Sequence, residues 1–230
     1  MDDTHSRLLD LLRHYKMPQA AAELLTAHPP LLVAGTTASG KDAVENFIQG
    51  ISDWRHVVTH TTRQIRPGEV NGSDYWFVSE AEMLNLAEGQ AFIEIKLIHD
   101  RQISGTSIQA YNAVLAAGRK PMLRIDIQGV RDLRTRVPGL RPYFILPPSF
   151  DVWMERLDKR GHMSHVERVQ RLHSARLELE TAIEDEHFIL LINDEIARVA
   201  QEIVDGVTDI PSQQRNRQLA RQLIDHIKAY

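Results

Sequence analysis

The residues best placed to do chemistry begin at Gly35. Gly35-Thr36-Thr37-Ala38-Ser39-Gly40-Lys41-Asp42 spells G-x-x-x-x-G-K, and Asp42 stands where such loops usually carry serine or threonine. Glycines let a loop turn its N–H groups inward around phosphates, and the start of the following helix adds positive potential. The Lys41 ammonium can then reach the β- and γ-phosphates of a nucleoside triphosphate. A hydroxyl after the lysine ordinarily ligates Mg²⁺; a carboxylate there can bind the metal directly or weaken the site through its extra charge.

Such a loop needs a strand before it and a helix after it, and the pattern supplies both. Pro30 to Ala34 is an apolar run suited to a buried parallel strand, and a helix is expected from about Asp42 to Gly50. Strands are expected at Val57 to Thr59, Tyr75 to Val78, Ala91 to Ile98, Pro121 to Ile127, Phe144 to Leu146 and Phe188 to Ile192. Helices are expected at Gln109 to Ala117, Val152 to Arg160, Val166 to Ala182 and Ala197 to about Val207. This alternation predicts an α/β domain with a parallel sheet core. The stretch RPGEVNGSD, with its proline, asparagine and glycines, reads as a surface excursion.

Outside this core lie two terminal segments. Leu8, Leu9, Leu11, Leu12, Ala20, Ala21, Leu24 and Leu25 recur at near-helical intervals broken around Pro18, which predicts two short amphipathic helices. Arg215 to Tyr230 predicts a final one. Their apolar faces could pack on the main domain or form a homo-oligomer contact; periodicity does not choose.

Composition narrows the class. The 230 residues, 43% hydrophobic and 25% charged, are those of an ordinary soluble globular protein. A net charge of −4 argues against a nucleic-acid-wrapping function, which usually needs a basic excess. No cysteine is present, which excludes disulfides, thiolate metal sites and a cysteine nucleophile and fits a reducing cytosol. The 11 histidines show no zinc-ligand spacing. The N-terminus is acidic and mixed rather than signal-like, and no run of about 18 apolar residues occurs. Cytoplasmic location without a membrane partner is the expectation.

A second set of residues is more specific. Thr59-His60-Thr61-Thr62-Arg63-Gln64-Ile65-Arg66-Pro67-Gly68-Glu69-Val70-Asn71-Gly72-Ser73-Asp74-Tyr75-Trp76-Phe77-Val78-Ser79 resembles, without a gap, the acceptor segment of the guanylate kinase family. The likeness continues through Phe92-Ile93-Glu94, Gly105-Thr106, Asp126-Ile127-Gln128-Gly129, Pro147-Pro148-Ser149, Arg156-Leu157, Arg160-Gly161, Arg171-Leu172 and Asn193-Asp194. It implies a three-layer P-loop kinase fold with an inserted acceptor (GMP)-binding subdomain over about 59–120 and a helical lid over about 149–178. The family-like domain would then span 29–209, with helical extensions over 1–28 and 210–230.

The resemblance implies an ATP-dependent nucleoside monophosphate kinase that phosphorylates GMP, with Mg²⁺ bridging the donor phosphates. Carried over by position, Arg63, Arg66 and Tyr75 grip the acceptor phosphate, while Thr59, Glu94 and Thr106 meet the guanine base. Asp126 falls at the acceptor site near the metal. Gly35, Thr36, Thr37, Ala38, Ser39, Gly40, Lys41 and Asp42 hold the triphosphate, with Asn193 near the adenine and Asp42 at the metal. Lys41, Arg156, Arg160 and Arg171 face the transferred phosphoryl group.

Physical chemistry agrees with these roles. Two arginines three positions apart on an irregular segment can converge on one phosphate through charge-assisted hydrogen bonds. A carboxylate such as Glu94 accepts from guanine N1 and N2, donors that adenine does not present. Phosphoryl transfer is positioning plus stabilisation of charge on the transferred oxygens, work suited to lysine, arginine and Mg²⁺.

The chain departs from the family pattern at Asp42, at Ser104, where the family has tyrosine before its Gly-Thr, and at Arg124, where the family has the first carboxylate of a D-x-D. Two alternatives stay open on those departures: a kinase of the same fold acting on another phosphorylated small molecule such as a ribose phosphate, and a non-catalytic protein-binding module.

Overall fold

Pro18 divides the N-terminal apolar pattern into α1 (Asp3–His14) and α2 (Gln19–Ala27). A proline has no N–H and clashes inside a helix, but its φ of −59° suits the residue just ahead of α2. This computed structural model describes residues 3–98, 102–159, 163–206 and 209–230.

The first half continues through β1 (Leu31–Gly35), α3 (Lys41–Ile51), β2 (Trp54–His56), β3 (His60–Thr61), β4 (Trp76–Phe77), α4 (Glu80–Glu88), β5 (Phe92–Ile98), β6 (Gln102–Ser107) and α5 (Ile108–Ala116). The second half holds β7 (Lys120–Arg124), α6 (Ile127–Arg136), β8 (Pro142–Leu146), α7 (Phe150–Asp158), α8 (His165–Glu184), β9 (Ile189–Ile192), α9 (Ile196–Asp205) and α10 (Ile210–Ala229).

Two expectations are corrected. Residues 57–59 are not a strand; β2 and β3 flank them instead. The strand expected to reach Ile127 ends at Arg124, because the Asp126 carboxylate accepts from the Gly129 N–H at 2.6 Å and so starts α6.

The chain divides into two compact units, and the division falls within β2, β7 and α6. Residues 1–30, 55–122 and 132–139 make the first. Its sheet has the order β4-β3-β6-β5, with β6 antiparallel to both β3 and β5. One face packs a core of Leu8, Met83, Phe92, Ile95 and Ile103, so the N-terminal extension belongs to this core. Ser79 and Glu82 form a complete capping box that starts α4 beneath it.

Residues 31–54, 123–131 and 140–230 make the second unit. The five-stranded sheet has the order β2-β7-β1-β8-β9, with β1 parallel to β8 and β8 parallel to β9. β8 is buried along its whole length, as a central parallel strand covered on both faces should be. The last helix docks on the sheet's edge: the Gln213 side chain accepts from the Leu190 N–H at 2.8 Å and donates to the Leu190 carbonyl at 3.0 Å. Ala220, Leu223 and Ile224 of α10 are buried, as are Leu8, Ala21 and Leu25 of the first two helices. The terminal apolar faces are therefore used within the chain. Among the described residues no helix is long and apolar enough to cross a membrane.

Candidate active site

In the second unit the phosphate loop runs between β1 and α3. Gly40 adopts φ +91°, a left-handed conformation that favours glycine, and a Cβ there would run into the Asn193 amide. A Cβ on Gly35 would stand 2.7 Å from the Ile145 carbonyl. Ala38 is a non-glycine residue held at φ +59°, a strained conformation of the kind that persists where surrounding structure dictates it.

Residues of α7 and Asn193 hold the loop in this shape. Trp153 and Arg156, three apart on α7, reach the loop from one helix face. Trp153 Nε1 donates to the Thr37 carbonyl at 2.7 Å, and Arg156 Nη1 donates to the Ser39 carbonyl at 3.0 Å. Arg156 Nη2 also donates to the Asn193 carbonyl at 3.2 Å, and Asn193 Nδ2 donates to the Ser39 carbonyl at 2.8 Å. The Thr37 and Ser39 carbonyls are thus tied to side chains of α7 and to Asn193, which fixes the loop's shape. The Thr36 and Ser39 hydroxyls are fully buried without a hydrogen-bond partner, a costly state that a polar ligand would relieve.

Lys41 opens α3 and folds back on the loop, its Nζ donating to the Gly35 and Thr36 carbonyls at 3.1 and 3.4 Å. Burial pulls its pKa down, against the nearby carboxylates of Asp42, Glu178 and Glu45. Glu178, on α8, is pushed by burial up to about 7, opposed by the Lys41 charge and reinforced by Asp126. The Asp42 carboxylate lies 3.6 Å from Arg124 Nη1. Carboxylate and hydroxyl oxygens of this kind suit a hard divalent cation. Arg171 pairs with Glu167 one turn away at 2.9 Å on the exposed face of α8. Arg160 lies outside the described residues.

In the first unit Glu94 and Thr106 come together. Glu94 Oε1 accepts from the Thr106 hydroxyl at 2.7 Å and from its N–H at 3.1 Å across the β5–β6 ladder. Arg63 is held by Glu69 in a bidentate pair, at 2.7 and 2.9 Å, and lies over the Tyr75 and Phe77 rings at 5.2 and 5.4 Å. That pair pulls the Glu69 carboxyl down to about 2. Glu69 also accepts from the Arg66 N–H at 2.8 Å, so one carboxylate holds the Arg63 side chain and the Arg66 backbone. Thr59 enters through its carbonyl, which accepts from the Trp76 N–H at 2.9 Å.

Several residues here went unnoticed in the sequence. Glu69 sits inside the matched segment but has no role by position. Tyr15 lies in the N-terminal extension, yet its hydroxyl donates to the Phe92 carbonyl at 2.8 Å and accepts from the Phe92 N–H at 3.1 Å. The β5 register shifts between Phe92 and Glu94, so Tyr15 pins the edge strand where it bulges just before the carboxylate. Tyr15, Glu94, Lys96, Asp132 and Arg136 line a cavity of about 310 Å³.

A family model described as guanylate kinase matches residues 27–209. The chain belongs to the guanylate kinase family. A guanylate kinase of Neisseria meningitidis serogroup A is 36% identical over 189 residues, covering 82% of this chain and 90% of the relative. One from Methylococcus capsulatus is 36% identical over 165 residues, covering 71% and 79%. The solved guanylate kinase of Anaplasma phagocytophilum superposes with a TM-score of 0.58 at 24% identity over 76% of this chain and 83% of that one, which supports the P-loop kinase fold. The family match ends short of α10 and excludes α1, so this guanylate kinase-type chain carries Tyr15 and Leu8 outside the matched region.

Proposed function

We infer that the chain is an ATP-dependent guanylate kinase, in which a GMP phosphate oxygen attacks the γ-phosphorus of ATP, the bond to the β-phosphate oxygen breaks, and ADP and GDP leave. The donor half is assigned to Gly35 through Asp42. The unpartnered Thr36 and Ser39 hydroxyls and the start of α3 support triphosphate binding there. Asn193 braces the loop from beneath and is proposed to lie near the adenine. Lys41 supplies a cation that folds back on the loop, and Arg156, Arg160 and Arg171 supply further charge as phosphoryl transfer proceeds. Mg²⁺, held on the Asp42 side, would neutralise the donor phosphates when bound.

On the acceptor half we assign Arg63, Arg66 and Tyr75 to the GMP phosphate, Thr59, Glu94 and Thr106 to the base, and Asp126 to the acceptor side of the transfer site. The single observation that carries the guanine preference is Glu94. One of its oxygens is oriented by the Thr106 hydroxyl and N–H, which sets a carboxylate where a purine presenting two adjacent donors would be recognised. The absence of cysteine fits the reducing cytoplasm, where we place the protein. A homo-oligomer through the terminal helices would have to use their outer faces, since the inner ones are buried.

The test is ADP release with ATP and Mg²⁺ and each of GMP, dGMP, AMP, CMP and UMP in turn. Turnover confined to the two guanine nucleotides is expected. Turnover with a pyrimidine or with AMP at equal efficiency would remove Glu94 from the base site, and silence with all five would reject the activity.

A further inference from the structure

The two departures at the donor site face one another. Asp42 adds a negative charge at the head of α3, beside the place that must receive a triphosphate. Arg124 ends β7 and approaches that carboxylate at 3.6 Å through Nη1. Its guanidinium is fixed from the other side: Nε and Nη2 donate to Glu45 Oε2 at 2.8 and 2.6 Å. Glu45 is fully buried, and its remaining oxygen, Oε1, has no hydrogen-bond partner. Arg124 therefore sits between a buried carboxylate and a half-exposed one, with two of its nitrogens committed to the first.

We propose that Arg124 is a positioning residue of the donor site, anchored by Glu45 and holding the Asp42 carboxylate neutralised and turned so that the loop accepts ATP despite the extra charge. This rests on the phosphate-loop reading above. A cation placed between two carboxylates lowers their repulsion toward an incoming anion, and the effect is large where water is partly excluded. The same charges surround Lys41, whose field includes Asp42, Glu45 and Arg124. Losing Arg124 would leave Asp42 without this cation and Glu45 buried without its hydrogen-bonding partner. A serine in place of Asp42 removes the need for Arg124 at the ligand, but not for Glu45.

The experiment is a double-mutant cycle of D42S and R124M, read as the dissociation constant for ATP with Mg²⁺ by calorimetry, alongside the KM for GMP. R124M is expected to weaken ATP binding about tenfold in the wild-type background and less than about twofold in the D42S background, a coupling of about 1 kcal/mol. The KM for GMP should stay where it was. If R124M fails to fold because Glu45 is stranded, the same cycle in the E45Q background carries the test, since the buried charge is then gone.

An equal loss from R124M in both backgrounds would overturn the proposal, because Arg124 would then act on the nucleotide or the fold and not through Asp42. No loss in either background would overturn it as well. Failure of the underlying reading looks different: the wild-type chain would not bind ATP, or K41A would bind it as well as wild type does.

Discussion

On the proposed assignment the two units meet the same demand, an anion held by fixed positive charge, in opposite ways. In the second unit the residues that depart from the family pattern, Asp42 and Arg124, satisfy each other across 3.6 Å with Glu45 behind them. In the first unit the pattern residues Arg63, Tyr75, Glu94 and Thr106 are retained, and their supports come from residues that the pattern leaves unassigned, Glu69 and Tyr15. The two donor-site departures thus lie in one local charge set, whereas the retained acceptor residues are braced in part by Tyr15, outside the matched region. Resemblance at the contacting residues and resemblance in what holds them are separate properties.

The largest effect is expected at Lys41. K41A should lower kcat about a thousandfold while the KM for GMP stays within about twofold, because the change touches only the donor charge. A matching rise in the GMP KM, measured by initial rates, would mean that the units do not divide the work this way. E94A should do the reverse, raising the KM for GMP by about 10- to 100-fold with the KM for ATP unchanged, as expected for a lost hydrogen-bonding charge.

Y15F tests whether the extension serves the acceptor half. Removing one hydroxyl from Phe92 should raise the KM for GMP about threefold and leave the KM for ATP alone. A fall in melting temperature with no change in the GMP KM would reduce Tyr15 to a structural tie.

The smallest effect is a pH dependence in the donor half. Glu178 ionises near 7 in the fold against the usual 4.5, so the folded state holds its proton more tightly than the unfolded chain does. Stability from this group is complete below about pH 4.5 and is lost as pH rises through 7. E178Q should match wild type at low pH and exceed it by a few degrees in Tm above pH 8. Parallel melting curves across that range would show that Glu178 is not held protonated by burial.

The phosphate loop and the acceptor segment were readable because their chemistry depends on backbone geometry and residue types within a short stretch. The apolar runs of β1, β8 and β9 were readable because buried parallel strands are continuous in hydrophobicity, and β5 because its apolar residues alternate with Glu94 and Lys96. Helix α4 was missed although Ser79 and Glu82 spell a capping box, and α6 was missed because Ile125 and Ile127 prolong the apolar look of β7 past the Asp126 cap. The Arg124–Glu45 contact joins residues 79 positions apart, and Tyr15–Phe92 joins residues 77 apart. Such pairings depend on which strand ends beside which helix, information carried by the whole topology and not by any window of sequence.

The edge of the five-stranded sheet bears on handling rather than catalysis. β9 is the outermost strand of the five-stranded sheet, and Gln213 pairs with both backbone groups of Leu190 as a neighbouring residue in a sixth strand would. A primary amide on a helix here imitates one rung of a ladder. A chain stopped at residue 209, where the family match ends, would uncover that rung and offer the edge to other copies of itself. Such a chain should precipitate before it loses the ability to bind nucleotide.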